Sequence, residues 1–170
     1  ADQYETVTPT YGTLTITTRS VTMTSATDSK EYDGTALKNA TVTETGDGFI
    51  EGEGATYDVT GSQTEVGNSK NKFTYELNEG TTATDYSITT AEGTLTVSKS
   101  SKALTIESGS DSKMYDGTAL HKAEYTVKYG DQTVEADESG LVFTLPTGDK
   151  LTITDTSNVV HVADTAANNN

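Results

Sequence analysis

Asp28-Ser-Lys-Glu-Tyr-Asp-Gly-Thr-Ala-Leu37 recurs as Asp111-Ser-Lys-Met-Tyr-Asp-Gly-Thr-Ala-Leu120, with Glu31 against Met114 as the one difference. The spacing is 83 residues (28 to 111). A repeat at that period implies supersecondary units in tandem, each roughly 80 residues long, the size of a small all-β domain. Within each copy, Asp33-Gly34 and Asp116-Gly117 predict tight turns, because Gly accepts positive φ and Asp bonds its own backbone. The Glu31/Met114 exchange marks a permissive, solvent-side position. Alternation then sends Tyr32 and Tyr115 inward. A structural tyrosine, its ring buried and its hydroxyl partnered, is the reading these residues favour.

A second repeated segment frames the first. Gly12-Thr-Leu-Thr-Ile16 matches Gly93-Thr-Leu-Thr-Val97, at a spacing of 81 residues (12 to 93), and Ser100-Ser101 absorbs the two-residue difference. Leu14 and Ile16, Val21 and Met23, and Leu104 and Ile106 all alternate with polar residues, the period-two signature of half-buried strands. Further strands are expected at Thr41–Glu44, Thr56–Thr60, Lys72–Leu77, Tyr86–Thr89, Tyr125–Tyr129, Leu141–Leu145, Leu151–Thr154 and Val159–Val162. Short strands, glycine turns and no helical periodicity predict antiparallel β-sandwiches. The expected core is Leu14, Ile16, Val21, Met23, Tyr32, Leu37, Leu95 and Val97, with Leu104, Ile106, Tyr115 and Leu120 as second-unit counterparts.

The order of segments suggests one period of a longer array. Residues 1–18 look like closing strands of a preceding or neighbouring repeat, with Tyr4 before Gly12 as Tyr86 stands before Gly93. Residues 19–99 form a complete repeat. Residues 100–170 form a second, C-terminally incomplete one, lacking counterparts of Phe73–Leu77 and of the later strands through Val97. Its open edges would invite association. Residues 1–18 of one copy are therefore expected to complete residues 102–170 of a neighbouring copy, by strand addition or as consecutive segments of one fibre, with folding back within one chain, across unit one, as the alternative.

Composition excludes several classes. Lys and Arg total 11 against 26 Asp and Glu, a net charge of −15, which disfavours nucleic-acid and anionic-membrane binding. No apolar run is long enough to insert in a membrane. Without cysteine there is no disulfide, thiol nucleophile or cysteine metal site. Only 32 % of residues are apolar, but Thr, Val, Tyr and Ile dominate and Pro occurs twice, so strands are favoured over disorder.

The Lys-x-Tyr-Asp-Gly-Thr signature (Lys30, Tyr32, Asp33, Gly34 and Thr35; Lys113, Tyr115, Asp116, Gly117 and Thr118), the Gly-Thr-Leu-Thr-Ile/Val strand and the repeat length resemble the MBG-type (mostly β-strand, glycine-rich) tandem repeats. Those occur in very large bacterial surface proteins. The resemblance covers nearly the whole chain from residue 12 onward. It implies Ig-like modules of an adhesin stalk or extracellular fibre, an extracellular location, neighbouring repeats as partners (as a head-to-tail homopolymer in one version), and no catalytic residues to carry over.

The search for chemistry agrees with a non-enzyme. His121 and His161 lack an evident catalytic partner, and no nucleophile elbow, phosphate loop or His-x-x-x-His pair occurs. No cofactor is expected, with calcium as the one open option. Asp47, Glu51 and Glu53, and Asp131, Glu135, Asp137 and Glu138, are acids on glycine-rich loops, hard oxygen donors of the kind Ca²⁺ takes, though without an Asp-x-Asp-x-Asp-Gly pattern. Lys30 and Lys113 could form isopeptide cross-links or snorkel at a sheet rim. A glycan- or protein-binding adhesin module is the alternative to a spacer. It would use tyrosine platforms, and the sequence identifies no host or glycan ligand. A carboxylate-pair glycosidase would need two acids in a cleft, and these acids lie on loops.

Overall fold

The computed structural model describes residues 8–154 and 158–161. Thirteen strands and one short 3-10 turn, Ala83–Asp85, lie among them, so the protein is all-β. The first eight strands build unit one. They are β1 (Arg19–Ser25), β2 (Asp28–Glu31), β3 (Val42–Gly46), β4 (Ala55–Val59), β5 (Gly67–Lys70), β6 (Phe73–Leu77), β7 (Tyr86–Ala91) and β8 (Thr94–Ser98). Five build unit two: β9 (Leu104–Ser108), β10 (Tyr125–Tyr129), β11 (Gln132–Val134), β12 (Val142–Thr144) and β13 (Lys150–Thr152).

In unit one, β1 runs through the middle of a sheet ordered β3-β1-β7, and β4 pairs with β6. Val21 and Met23 alternate with threonines along β1 and are 0 % exposed, packed with Tyr86 against Tyr57, Phe73 and Tyr75 of the β4–β6 ribbon. Each such buried side chain contributes about 1.5–3 kcal/mol of transfer free energy. A second sheet, β2-β8-β5, carries Leu95 and Val97, which cluster with Leu37 and half-buried Tyr32. Two pairings differ from the antiparallel sandwich expected. β7 joins β1, and β8 joins β2, in parallel. The reason is that β7 and β8 return to the first two strands only after the whole unit, a crossover long enough for parallel entry.

A polar knot ties the two sheets together. Asn71, fully buried, donates from Nδ2 to the carbonyls of Ala26 and Asn39, each at 2.9 Å. Its backbone carbonyl accepts from Ser25 Oγ at 2.5 Å, and Gly93 N donates to that Ser25 hydroxyl at 3.0 Å. The Nδ2 donors and the backbone carbonyl of Asn71 are thus satisfied, while its buried Oδ1 has no hydrogen-bond partner among the described residues.

Unit two has its own core of Val127, Tyr129, Val134 and Phe143. β10 lies between β9 and β11, and β12 and β13 form a hairpin. Here several sequence expectations fail. Leu104 and Ile106 are 44 % and 49 % exposed, because among the described residues β9 has a neighbour only on its β10 side. Tyr115 is 61 % exposed and Leu120 half-buried. Val159 forms a single bridge with Leu120, not a strand.

The segment expected as a closing strand also differs. Residues 8–18 form no strand, and Leu14 and Ile16 are fully exposed. An extended segment becomes a strand only where a partner takes up its backbone groups, and none of the described residues does so here. Tyr4, the rest of residues 1–7, and residues 162–170 lie outside the described residues.

Candidate functional site: the repeated clasp and the joint between units

The ten-residue motif folds the same way twice. Lys30 Nζ donates to Asp33 Oδ1 and to Thr35 Oγ1, both at 2.7 Å. Thr35 closes the ring by donating to Asp33 Oδ1 from its backbone N at 2.8 Å and its hydroxyl at 2.7 Å. In the second copy Lys113 reaches Asp116 at 2.9 Å and Thr118 at 2.6 Å, and Thr118 N and Oγ1 donate to Asp116 Oδ1 at 2.9 and 2.8 Å. The intervening glycines, Gly34 and Gly117, take φ of 81° and 79°, as the turn reading requires. Lys, Asp, Gly and Thr are thus one self-contained clasp. The lysine ammonium and then the threonine donors hold Asp33 far below the usual carboxylate range, and Asp116 is held down in the same way.

What the two clasps touch is different. In the first, Tyr32 Oη donates to the Asp149 carboxylate at 3.0–3.1 Å, and that hydrogen bond raises the Tyr32 phenol pKa. The backbone of the Pro146-Thr-Gly-Asp149 turn of unit two rests on Gly34, so closely that an added Cβ would lie 1.8 Å from the Thr147 carbonyl oxygen. Glu31 accepts from Ser101 N and Oγ at 3.0 and 2.8 Å, which fixes the linker. Beyond it, Ser100 Oγ and Tyr129 Oη lie 2.8 Å apart, and Lys102 Nζ stands 5.2 Å from the Tyr129 ring centroid. Position 31 is on the solvent side as expected, yet its glutamate does specific work. In the second copy Met114 and Tyr115 are exposed and Gly117 has open space around it.

The acidic calcium candidates are engaged separately. Asp47 accepts from Ser20 N and Oγ at 2.9 and 2.8 Å. Glu53 accepts from Tyr86 Oη at 2.6 Å. Asp137 caps its own turn through Ser139 N and Oγ at 3.0 and 2.5 Å. Glu51 and Asp131 are exposed on turns. Among the described residues, no three or more His, Asp or Glu side chains gather as a metal-binding group. Lys30 and Lys113 each pair with an aspartate three residues on, at 2.7 and 2.9 Å, in half-exposed ion pairs. His121 and His161 are exposed.

The tyrosines that a glycan platform would use are turned inward in unit one. Tyr57 and Tyr75 are direct partners across β4 and β6, half-buried against the core. A shallow groove of about 280 Å³ runs beside them, lined also by Thr56, Asp58, Thr74 and Glu76. Tyr57 Oη donates to Glu44, and burial together with that carboxylate pushes its pKa up.

Comparison with known protein families, characterised proteins and solved structures finds no match to this chain. Among the described residues no helix is long and apolar enough to cross a membrane. Sequence reasoning missed two participants. Asn71 carries no motif. The Pro146–Asp149 turn reads as a turn, but nothing in its residues signals that it docks on Gly34.

Proposed function

We propose that the chain is a structural spacer: a segment of tandem β-repeats from a bacterial cell-surface stalk or extracellular fibre, of the MBG type its motif resembles. The observation that carries this reading is the joint. The first clasp presents Tyr32 and Gly34 to the Pro146–Asp149 turn of the next unit, while Glu31 fixes the linker between them. A motif whose internal bonds form a clasp and whose outer face grips the following repeat holds successive units in one orientation. Repeat arrays gain stiffness from such nearest-neighbour contacts. The net charge of −15 opposes unspecific sticking between stalks.

The joint is tested by small-angle X-ray scattering on the chain and on Tyr32→Phe. The expected result is a fixed maximum dimension for the parent, and a broader distance distribution for the variant at unchanged unit stability. Indistinguishable scattering curves would mean that the Tyr32–Asp149 contact does not orient the units. Saturable binding to a defined glycan on an array, lost on altering the groove beside Tyr57 and Tyr75, would replace the spacer by a binding module.

A further inference from the structure

Unit two has a floor prepared for a strand that it does not contain among the described residues. In unit one, β8 is the middle strand of β2-β8-β5, and its Leu95 and Val97 fill the space over Leu37 and Tyr32. Unit two repeats that floor. Residues 111–114 repeat the β2 sequence with Met114 for Glu31 but form no strand, and Tyr115 and Leu120 are the sequence counterparts of Tyr32 and Leu37. Even the backbone bridge is reproduced. Leu120 N donates to the Val159 carbonyl at 2.7 Å and Val159 N to the Leu120 carbonyl at 3.0 Å, as Leu37 and Gln63 do at 2.8 and 3.1 Å.

The missing strand has a double elsewhere in the chain. Gly12-Thr-Leu-Thr-Ile16 repeats Gly93-Thr-Leu-Thr-Val97 with Ile for Val, and here its Leu14 and Ile16 are wholly exposed. The glycine is telling. An added Cβ at Gly93 would lie 2.2 Å from the Ala26 carbonyl oxygen and 2.4 Å from that of Ser25, so position 93 admits no side chain. Gly12 has nothing within 4 Å and no positive φ. Its surroundings here give no reason for glycine. Placed beside Ser108 and Gly109, the equivalents of Ser25 and Ala26, it would have the same reason as Gly93.

We propose that residues 12–17 of a second copy of this chain enter unit two as a parallel strand beside residues 111–114, joining copies head to tail. The inference deepens the spacer reading and rests on it for the expectation that repeats meet end to end. The register follows from unit one, where Asp28, Ser29, Lys30 and Glu31 face Leu95, Thr96, Val97 and Ser98. Asp111, Ser112, Lys113 and Met114 then face Leu14, Thr15, Ile16 and Thr17. Leu14 and Ile16 come to lie over Leu120 and Tyr115.

Chain order selects a second copy over the same one. β8 leads through a short linker into β9, the first strand of the unit that comes next. Residues 12–16 lead in the same way into β1, the first strand of unit one. The strand that closes a unit is therefore succeeded by the next unit. For unit two to be closed by residues 12–17 of its own copy, unit one would have to lie both before and after it. A second copy meets the condition by placing its unit one after the unit two that it completes.

The test uses the whole chain, which has no cysteine of its own. Sedimentation over a concentration series is expected to show reversible oligomers. Gly12→Ala and Ile16→Asp, both at exposed positions, are each expected to weaken association at least tenfold, while circular dichroism and melting stay unchanged at dilutions where the parent is monomeric. A synthetic peptide of residues 8–18 is expected to shorten the oligomers. In the double variant Leu14→Cys with Asp111→Cys, mild oxidation is expected to give a ladder of cross-linked chains. Four results would overturn the exchange: a monomer throughout, a disulfide formed only within one chain, oligomers indifferent to Gly12→Ala, or oligomers indifferent to the peptide. A monomer whose scattering still shows the Tyr32–Asp149 joint would remove the exchange and leave the spacer standing. A loose joint in chains that still form the ladder would do the reverse.

Discussion

Replacing Asn71 by alanine measures how far unit one depends on a single buried amide. Its Nδ2 serves two carbonyls, those of Ala26 and Asn39, at 2.9 Å each, and the residue is completely buried. The variant takes the donor away from both. A net hydrogen bond is worth about 1 kcal/mol, and each buried acceptor left without a donor costs about 1–3 kcal/mol. A total loss of about 2–4 kcal/mol is expected. A unit of this size has roughly 4–12 kcal/mol of stability, so a large share would go. Its melting temperature should fall by about 10–25 °C at roughly 4–8 °C per kcal/mol. Urea unfolding followed by circular dichroism gives the free energy directly. Asn71→Leu, which fills the volume but donates nothing, separates hydrogen bonding from packing and should be no better than alanine. If Asn71→Ala unfolds within about 0.5 kcal/mol of the parent, the ordinary scatter of surface substitutions, the knot does not hold the sheets together.

The clasps predict a pH dependence. Asp33 and Asp116 are depressed in the folded chain, first by the lysine ammonium and then by threonine donors, so their contribution is complete above the ordinary aspartate pKa of about 3.9 and is lost as pH falls through the lower folded value. Carboxyl ¹³C titration should find both well below that figure, and Lys30→Met should raise Asp33 alone; folded-state titration near 3.9 would contradict the clasp. Equivalent core positions of the two units should respond unequally. Met23→Ala should cost about 2–5 kcal/mol, whereas Ile106→Ala, half-exposed on the free side of β9, should cost less than about 1 kcal/mol in isolated chains, as read from denaturant midpoints.

What the sequence alone determined is whatever depends on near neighbours. The turns at Asp33-Gly34 and Asp116-Gly117 were legible because Asp, Gly and Thr fold them within a few residues. The inward faces of β1 and β8 were legible because a strand exposes alternate residues to opposite sides, whatever it meets. Only the tertiary structure decided which alternating segments would have something to face. Leu14-Thr-Ile16 and Leu95-Thr-Val97 carry nearly one pattern, yet the first pair is fully exposed and the second buried, because β2 and β5 flank only the second. Val21 and Leu104 part in the same way, since β7 closes the edge of β1 and none of the described strands closes that of β9. Nor could period two reveal that β7 and β8 would enter in parallel, or that Asn71 would sit where three segments cross. Burial, pairing direction and the partner of a tyrosine depend on contacts between distant residues, and the local pattern is indifferent to them.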